Sequence, residues 1–539
     1  MLRGYAKLKK SGELGRIMEA QIALVESSLL IHPSRISKKL FGAAAEKANE
    51  AVRDFLISRL ALYALNKSLL VSLGKKNGKV IHPLPAKWRS ILKSLGWNVS
   101  DVKCLFLWAG YLFLCWGYGG FVLIKKSLQG VASIFKSVEP TQGKFVYFAG
   151  LTKNELPQGK EGDSYDVISW YLQWSGRNKE IKIIGHNVKG ITPLRRQGVK
   201  VQFLDPLLPP TGAVEVLRFL LWGSWAVCLC LLDWCRGRWW SPLMFAPCVQ
   251  SYIARHQSTY AVDYLFHNSG ARKPLWLYEI ESKGATTTFY FYSTNCDWFM
   301  KKKTYQPTPA FYRNMQWKRY FVWDKEQLNF LVRSGIDYRS ANIVGPIWFS
   351  DSSKKMPKVP KKNIFIFDIP IYRQSVYAIL GAPVDYYLPK NVKKFFSDIK
   401  EVSKNLGFTV VYKSKRVFQK KFSKDLHHGL YKFISNQIRN GEAISIFGNI
   451  SAIKAIKKSA LNISIPFTST AIMAKNLHKP SWYYDPTGTI EKKDRNARGV
   501  PIISGKDELH KMLIQNFKRR NKQYKNKSNK LKKILKIDK

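Results

Sequence analysis

From residue 144 to residue 485 the sequence alternates between short apolar runs and longer amphipathic segments. Runs rich in Val, Ile, Phe and Tyr between turn-forming residues indicate strands, and the segments between them have the spacing of amphipathic helices. In the second half, strands are predicted over 363–370, 407–414, 443–448, 463–467 and 480–485, and helices over 392–406, 430–439, 450–459 and 470–476. Such alternation favours a parallel sheet with helices on both faces. The sequence therefore predicts an α/β fold.

A chain of 539 residues is too long for one ordinary core, so a similar unit is expected earlier in the chain. Its predicted strands cover 144–151, 180–187, 199–206, 274–282 and 286–295, and a helix covers 164–174. Residues 13–75 have helical periodicity, whereas residues 349–362 are polar, contain prolines and are typical of a linker. The expected parts are an N-terminal helical extension over 1–143, a Rossmann-like domain over 144–348, the linker over 349–362, a second Rossmann-like domain over 363–515 and a basic tail over 516–539. We expect the two Rossmann-like domains to face a cleft.

Two apolar segments indicate contact with a membrane. Residues 104–124 hold no charged residue in 21 positions, which is long enough for a membrane-spanning helix. Their glycines and aromatic side chains also suit the membrane interface. Residues 219–232 contain only 14 uncharged positions and are interpreted as an interfacial or buried helix. We expect peripheral, monotopic attachment, and a single span or a buried core helix are the alternatives.

The charge balance limits the possible partners. The chain has 89 Lys and Arg against 36 Asp and Glu, a formal net charge of +53. Such a field attracts nucleic acid, an anionic membrane surface or phosphorylated substrates, although a Lys-rich background explains part of it. No nucleic acid is expected as a partner, because of the apolar run and the lack of a recognisable binding module. Seven cysteines without zinc-site spacing, and no signal peptide at the N-terminus, indicate the cytoplasmic side of a membrane.

The segment 464–475 is the first candidate site. A short strand ends near Pro466, three hydroxyl residues follow at Thr468, Ser469 and Thr470, and a helix begins there. The free N–H groups at the start of a helix, together with hydroxyls, form a ready site for an anion such as a diphosphate. An ordinary helix N-cap is the alternative.

This segment resembles a known family. The sequence Pro466-Phe467-Thr468-Ser469 before a helix is similar to the motif of the polysaccharide-biosynthesis PFTS-motif family, and further blocks fit over about 144–515. These blocks begin at Tyr147, Ser164, Tyr278 and Lys413. The resemblance implies a GT-B-like fold, with an acceptor-side first domain and a donor-binding second domain. It implies a glycosyltransferase that moves a sugar from a nucleotide-sugar donor to a lipid-linked or growing surface polysaccharide. Asn462 departs from the Asp that related sheets often carry.

Two sets of charged residues are further candidates. Lys413, Lys415 and Arg416 follow a predicted strand and are expected to neutralise the donor phosphates, unless they form a solvated basic turn. Glu279 and Glu281 are predicted to share one face of a strand, with Glu279 as the base that deprotonates the acceptor and Glu281 as its positioning partner. A cross-strand salt bridge is the alternative. Secondary candidates are Asp163, Asp166, His186, His256 and His267.

Missing motifs narrow the chemistry. No Asp-x-Asp pair is present, so a metal-independent reaction is expected, with no cofactor besides the nucleotide-sugar substrate. The phosphate-loop motif of NTPases and the G-x-S-x-G motif of hydrolases are also missing. A polyol-phosphate transferase of the CDP-glycerol type with a similar fold, and a basic nucleic-acid-binding protein, are the alternative functions.

Overall fold

The computed structural model describes residues 8, 11–27, 29, 40–135, 144–157, 164–267, 272–294, 296–297, 299–300, 303–305, 308, 312–347, 350–351, 356–367, 371–372, 387–414, 426–446 and 450–518. The chain forms two compact units. The first contains the described residues of Met1–Tyr292 and Thr308–Phe349, and the second those of Ser293–Pro307, Ser350–Tyr377 and Pro383–Lys539. This division differs from the expected one in two respects. The N-terminal helices belong to the same unit as the first sheet, and a segment from within 144–348 belongs to the second unit.

The first unit begins with helices, as the periodicity predicts. They are α1 (Gly15–Glu26), α2 (Ala48–Leu56), α3 (Asn66–Leu73) and α4 (Ala86–Ser94). A 3-10 turn, Ala43–Lys47, precedes α2, and a π-helix, Ile57–Leu65, joins α2 to α3. Their apolar sides are buried, for example at Ile17, Leu24 and Leu69. This burial of one apolar face explains why the pattern is amphipathic.

The first unit contains an eight-stranded sheet. Its strands are β1 (Lys144–Ala149), β3 (Ile181–His186), β4 (Leu194–Arg196), β5 (Val199–Phe203), β6 (Asp263–His267), β7 (Thr286–Tyr290), β8 (Arg319–Val322) and β9 (Ala341–Ile343), and a short strand, β2 (Ser164–Tyr165), lies outside it. The strand order is β4-β5-β3-β1-β6-β7-β8-β9, and the pairs are parallel except for β4 with β5. The order reverses between β1 and β6, which is the Rossmann arrangement.

The remaining helices of the first unit include a long apolar layer. They are α5 (Asp101–Ile134), α6 (Val167–Ser175), α7 (Ala213–Cys235), α8 (Trp240–His256), α9 (Trp276–Ser282) and α10 (Lys325–Arg333). The helix α8 is buried, and α5 and α7 pack against it. Small residues allow this close packing, since a Cβ added at Gly119 would lie 2.4 Å from the Phe245 ring. By length and composition alone, both α5 and α7 could cross a membrane. The helix α7 is longer than its predicted apolar stretch because it continues through charged residues at both ends.

The second unit contains a parallel sheet of its own. Its strands are β11 (Asn363–Phe367), β12 (Thr409–Lys413), β13 (Ile444–Ile446), β14 (Leu461–Ser464), β15 (Ser481–Asp485) and β16 (Ile502–Ser504), and β10 (Ser350–Asp351) precedes them. The helices are α11 (Pro389–Asn405), α12 (His428–Arg439), α13 (Ala452–Lys458) and α14 (Ser469–Asn476), followed by helical residues 506–518. The order is β13-β12-β11-β14-β15-β16, and all pairs are parallel. The predicted α/β class with two Rossmann-like sheets is confirmed.

One predicted strand is wrong. The predicted strand over 274–282 is replaced by the helix α9, Trp276–Ser282. Trp276, Leu277 and Ile280 are buried on one side of this helix, so helical burial, and not alternation, explains the apolar positions. Glu279 and Glu281 therefore do not share a strand face. The strand that occupies this part of the sheet is β6, which the apolar pattern missed because it begins with an Asp and ends with a His.

Candidate functional site

Each sheet has one place where the strand order reverses, and ligands of parallel α/β sheets bind outside the carboxyl ends of the strands at that place. In the second unit the reversal lies between β11 and β14. The turn that contains Pro466 and Thr468 leaves the carboxyl end of β14 and leads into α14. The predicted donor motif therefore begins at the position where such a sheet is expected to hold its ligand.

The turn has an unusual backbone at Phe467. This residue has a φ of +64°, which lies in the left-handed region that residues other than glycine rarely adopt. Its ring is held on two sides, because it stacks on Phe299 with centroids 5.6 Å apart and lies 5.7 Å from the Tyr483 ring. The Tyr387 hydroxyl donates to the Pro466 carbonyl at 3.1 Å. These contacts fix the turn in one conformation.

The hydroxyls of the turn form a connected cluster. The Thr470 hydroxyl lies 3.2 Å from the hydroxyls of both Ser464 and Thr468. The Thr468 hydroxyl also donates to the Ile465 carbonyl at 3.0 Å, and the Tyr483 hydroxyl donates to the Thr468 carbonyl at 2.9 Å. Thr468 is buried, whereas Thr470 is only partly buried. Thr468 therefore holds the turn, and Thr470 is the hydroxyl of this pair that is open to a ligand.

Ser469 points to a different part of the second unit. Its hydroxyl lies 3.1 Å from the Thr294 hydroxyl and accepts from the Thr294 N–H at 3.2 Å. The stretch of chain that contains Thr294 makes a second contact further along, where the Met300 N–H donates to the Asp494 carboxylate at 2.6 Å. Burial raises the pKa of the Asp494 carboxyl, which these hydrogen bonds partly oppose. The motif thus helps to attach Ser293–Pro307 to the second unit.

The basic candidates lie near the same edge. Lys413 is the last residue of β12, is buried, and donates from Nζ to the Ser414 carbonyl at 2.8 Å. Both Lys413 and Ser464 are in register with Phe367 of the strand between them, so their backbones are about 10 Å apart. A phosphate group fits within that span. Lys415 and Arg416 lie outside the described residues.

In the first unit, the order reversal lies between β1 and β6 and brings a histidine to the edge. His267 ends β6, is buried, and stacks on Tyr292 with centroids 4.1 Å apart. Its Nε2 lies 3.8 Å from Oε1 of Glu155, whose other oxygen accepts from the Thr152 N–H at 2.6 Å. Burial lowers the pKa of His267, although Glu155 opposes this shift, so the imidazole is neutral near pH 7. A neutral imidazole beside a carboxylate can accept a proton.

A buried tyrosine hydroxyl lies in the same part of the edge. Tyr290 ends β7 and is in register with His267, and their ring centroids are 5.7 Å apart. Within the described part of the chain, no hydrogen-bond partner is found for the Tyr290 hydroxyl. A buried hydroxyl without a partner is costly, and a bound ligand is one way to supply the missing hydrogen bond.

Residues 225–513, more than half of the 539-residue chain, match the family described as polysaccharide biosynthesis PFTS motif protein. The chain belongs to this family. It therefore takes part in polysaccharide biosynthesis, as the resemblance of Pro466–Ser469 implies. No protein of curated function matches the sequence.

Solved structures give weaker matches to this PFTS-motif protein. The UDP-N-acetylglucosamine 2-epimerase of Rickettsia bellii is 11% identical with a TM-score of 0.34, and the match covers 68% of this chain and 84% of that chain. The wall teichoic acid polymerase TagF is 13% identical with a TM-score of 0.35, and the match covers 75% and 88%. The UDP-GlcNAc 2-epimerase of Neisseria meningitidis, solved with UDP-GlcNAc, is 10% identical with a TM-score of 0.35, and the match covers 70% and 92%.

Glu279 of the PFTS-motif protein has a different environment from the one predicted. Its side chain is buried and accepts hydrogen bonds from the N–H groups of Gly42 and Ala43, at 2.8 and 2.9 Å, and from the Ser251 hydroxyl at 3.0 Å. It thus binds the free N–H groups where the 3-10 turn Ala43–Lys47 begins. These contacts support a structural role, and the catalytic role of Glu279 stays a prediction.

Glu281 has a salt-bridge partner. Its carboxylate contacts the buried ammonium of Lys273 at 2.6 Å and accepts a hydrogen bond from the Thr287 hydroxyl. Burial lowers the pKa of Lys273, and Glu281 opposes this shift. Glu281 therefore forms a salt bridge, which was the alternative to a catalytic role. The bridge with Lys273 starts from the helix α9 and does not connect two strands.

The secondary candidates have local roles where they are described. Asp166 caps α6 by accepting from the N–H groups of Ile168 and Ser169, both at 2.9 Å. His186 accepts from the Val188 N–H at 3.2 Å, and His256 packs against the Tyr252 ring. Asp163 lies outside the described residues. Only His267 lies at the reversal of a sheet, and the signal that could have found it is its place at the end of an apolar strand.

Two further predictions concern Asn462 and metals. Asn462 is buried within β14, and its side-chain amide donates to the Pro480 carbonyl at 3.1 Å, so it is a structural residue of the sheet.

Across the described ranges there is no group of three or more His, Cys, Asp or Glu that could hold a metal ion. The metal-independent reaction stays a prediction.

Proposed function

We propose that the chain is a glycosyltransferase of the GT-B type that transfers a sugar from a nucleotide-sugar to a lipid-linked or growing polysaccharide. The observation that carries the proposal is the position of the family motif. It forms the turn that leaves β14 where the strand order of the second sheet reverses. This is the place at which a Rossmann-like sheet binds a nucleotide or its phosphates.

The second unit supplies the groups that hold an activated diphosphate. The partly buried Thr470 hydroxyl and the N–H groups at the start of α14 are hydrogen-bond donors. Lys413 supplies a cation at the end of β12, which is separated from β14 by one strand, β11. Donors and cations of this kind stabilise the negative charge that develops as the diphosphate leaves. Pro466, Thr468 and Ser469 shape the turn, and the roles of Lys415 and Arg416, which lie outside the described residues, stay predictions. No metal ion is needed for this step.

The first unit supplies the proton acceptor. In the proposed step, His267 removes the proton of the acceptor hydroxyl while the acceptor oxygen forms a bond to the anomeric carbon. The bond between that carbon and the diphosphate breaks, and its electron pair leaves with the diphosphate. Glu155 stabilises the imidazolium that results, because an adjacent carboxylate favours the charged form. This assignment replaces Glu279 as our preferred base.

The helices α5 and α7 place the enzyme on the cytoplasmic face of a membrane in this proposal. One stripe of α5 is buried along its length, from Cys104 to Gly130, which fixes the helix on the protein. The opposite side exposes large apolar side chains, including Phe106, Phe113 and Phe121. Because this helix is packed on the protein along one side, we infer that it lies in the plane of the interface with its outer face in the lipid. Monotopic attachment is therefore favoured over a single span, and it brings the enzyme to a lipid-linked acceptor.

Donor binding and transfer test the proposed function. A thermal-shift screen of the full chain with nucleotides and nucleotide-sugars identifies the donor, and transfer of radiolabelled sugar to membrane lipid or polysaccharide follows. We expect one nucleotide-sugar to raise the melting temperature and Lys413→Met to reduce that shift, with exposed Lys404→Met as the control. Stabilisation by CDP-glycerol alone would favour the polyol-phosphate transferase. Salt-sensitive retention on DNA without donor binding would favour the nucleic-acid-binding alternative.

Attachment to the membrane needs a separate test. Replacing Phe106, Phe113 and Phe121 with Ser removes apolar side chains that are already exposed, so the fold should be retained. We expect the variant to float with lipid vesicles at least tenfold less than the wild-type chain, since each aromatic side chain adds to the buried apolar area. Equal flotation of both proteins would contradict the proposed lipid-facing surface.

A further inference from the structure

A basic cavity lies among the N-terminal helices, outside both sheet edges. It has a volume of about 460 Å³ and lies between α3, the end of the π-helix and the loop that follows α3. Four solvent-exposed lysines line this open cavity, and neither Asp nor Glu is among its lining residues. They are Lys67, Lys75, Lys76 and Lys79. A cavity with cations and no acid attracts an anion.

The loop of the cavity is held firmly to α3. A Cβ added at Gly78 would lie 2.1 Å from the Ser72 carbonyl oxygen, so only glycine permits this close approach. The Ser72 hydroxyl donates to the Gly78 carbonyl at 3.1 Å. On the other wall, the Ser68 hydroxyl donates to the Ile81 carbonyl at 2.8 Å and accepts from the Ile81 N–H at 3.2 Å. The lysines thus extend from a fixed frame.

This frame is joined to the first turns of α5. Val80 follows the last cavity lysine, its N–H donates to the Asn98 carbonyl at 2.7 Å, and its carbonyl accepts from the Ser100 N–H at 3.1 Å. The Cys104 thiol donates to the same carbonyl at 3.5 Å. On the outer side of these turns, Val102 and Phe106 are each 80% exposed. The loop of the cavity is therefore fixed to the start of the helix that carries the exposed apolar side chains.

We propose that this cavity binds the phosphate headgroup of an anionic lipid whose tail lies along the apolar side of α5. The lysines supply the charge that attracts the phosphate, and the exposed side chains of α5 supply the apolar surface for the tail. The inference rests on the proposed attachment of α5 and α7 to a membrane. The cavity precedes residues 225–513, so it is separate from the part of the chain that matches the family.

Vesicle flotation of the full chain tests the proposal. The probes are vesicles of phosphatidylcholine alone and vesicles that also contain phosphatidylglycerol. The cavity variant changes Lys67, Lys75, Lys76 and Lys79 to Gln, and the matched control changes the exposed lysines Lys390, Lys404, Lys432 and Lys457 of the second unit to Gln. We expect the cavity variant to bind the anionic vesicles at least about tenfold less, because each lysine near an anionic lipid surface adds substantially to the affinity of the protein for that surface. The control should stay within about twofold.

A second variant separates the cavity from surface charge in general. Ala64→Phe places a ring in the cavity and keeps all four lysines, and we expect it to lose the preference for anionic vesicles with an unchanged melting temperature. Equal losses in the cavity and control quadruple variants, or normal binding by Ala64→Phe, would overturn the proposal. If inorganic phosphate binds the cavity while flotation stays unchanged in the cavity variant, the ligand is free phosphate and the lipid assignment is wrong.

The result also distinguishes this proposal from the one on which it rests. A wild-type chain that floats with neither type of vesicle contradicts membrane attachment and this inference together. A chain that floats with both, and whose cavity variants float equally well, contradicts only the lipid-headgroup site.

Discussion

The two sheets have the same strand order around the reversal but different chemistry at that edge. In the first unit, β6 and β7 end in His267 and Tyr290, which are aromatic, titratable and close to Glu155. In the second unit, β12 and β14 end in Lys413 and Ser464, and a hydroxyl cluster follows. The backbone arrangement is therefore shared, whereas the side chains at the strand ends set the chemistry.

This difference separates two tasks that a transferase must perform. A neutral histidine beside a carboxylate is suited to proton transfer, because its charge changes near physiological pH. Hydroxyls, helix N–H groups and a lysine are suited to holding an anion and do not remove protons at that pH. We therefore expect substitutions in the first edge to change turnover and substitutions in the second edge to change donor affinity.

The largest effect is expected at His267. His267→Gln keeps the size and polarity of the side chain but removes the proton acceptor, and general base catalysis typically contributes about 100- to 10,000-fold. We expect kcat to fall in that range while donor affinity, measured by thermal shift, stays unchanged. His256→Gln, at the end of α8, is the matched control and should retain turnover. Loss of donor affinity in His267→Gln would break the proposed division of tasks.

Glu279→Gln shows whether the carboxylate on α9 is structural. The amide that replaces one oxygen cannot accept the N–H bonds of Gly42 and Ala43 as the carboxylate does, so a buried donor loses its partner. We expect the free energy of unfolding to fall by about 3 kcal/mol, measured by urea denaturation. Glu46→Gln, an exposed change on the same turn, should have almost no effect. Loss of turnover at wild-type stability would return the role of base to Glu279.

The pH dependence of turnover sharpens the comparison further. Burial holds the pKa of His267 below its ordinary value of 6.5, so the residue takes up a proton only at lower pH. We expect the acid limb of kcat/KM to have its midpoint below pH 6.5 and to fall about tenfold per pH unit below that midpoint. A midpoint above pH 6.5 in steady-state assays would contradict this assignment.

Most regular elements of the second unit could be predicted from sequence because its strands are short runs rich in Ile, Val, Phe and Tyr that alternate with amphipathic helices. The three-residue strand β16 was not predicted. In the first unit, β6 was not predicted because polar residues at both of its ends interrupt the apolar pattern. The buried residues of α9 have a spacing that was interpreted as a strand. For short apolar segments, periodicity alone does not separate the two structures.

The site was only partly predictable for a related reason. Thr468, Ser469 and Thr470 are neighbours in sequence, so the turn before α14 could be recognised from its hydroxyls and the helix that follows. His267 and Glu155 are far apart in the chain, and only the adjacency of β1 and β6 brings them together. The sequence also could not show which hydroxyl is buried and which is open.

A smaller effect is expected when the cation of the second edge is removed. Lys413→Met keeps the length of the buried stem but removes the charge that is proposed to neutralise the diphosphate. We expect the Kd of the donor to rise about tenfold, which corresponds to about 1.4 kcal/mol, and kcat to change less. Calorimetry at two salt concentrations measures this, and the difference from wild type should shrink at high salt. An unchanged Kd would remove Lys413 from the donor site.

The smallest effect separates two hydroxyls of the same turn. Thr468→Val keeps the shape of the side chain but loses the hydrogen bond to the Ile465 carbonyl at 3.0 Å. We expect a loss of about 1 kcal/mol in the free energy of unfolding and an unchanged donor Kd, because this hydroxyl is buried and occupied. Thr470→Val should show the reverse, with weaker donor binding at nearly unchanged stability. If both variants weaken donor binding equally, the cluster binds the donor as a unit, and the distinction between a structural and a binding hydroxyl is wrong.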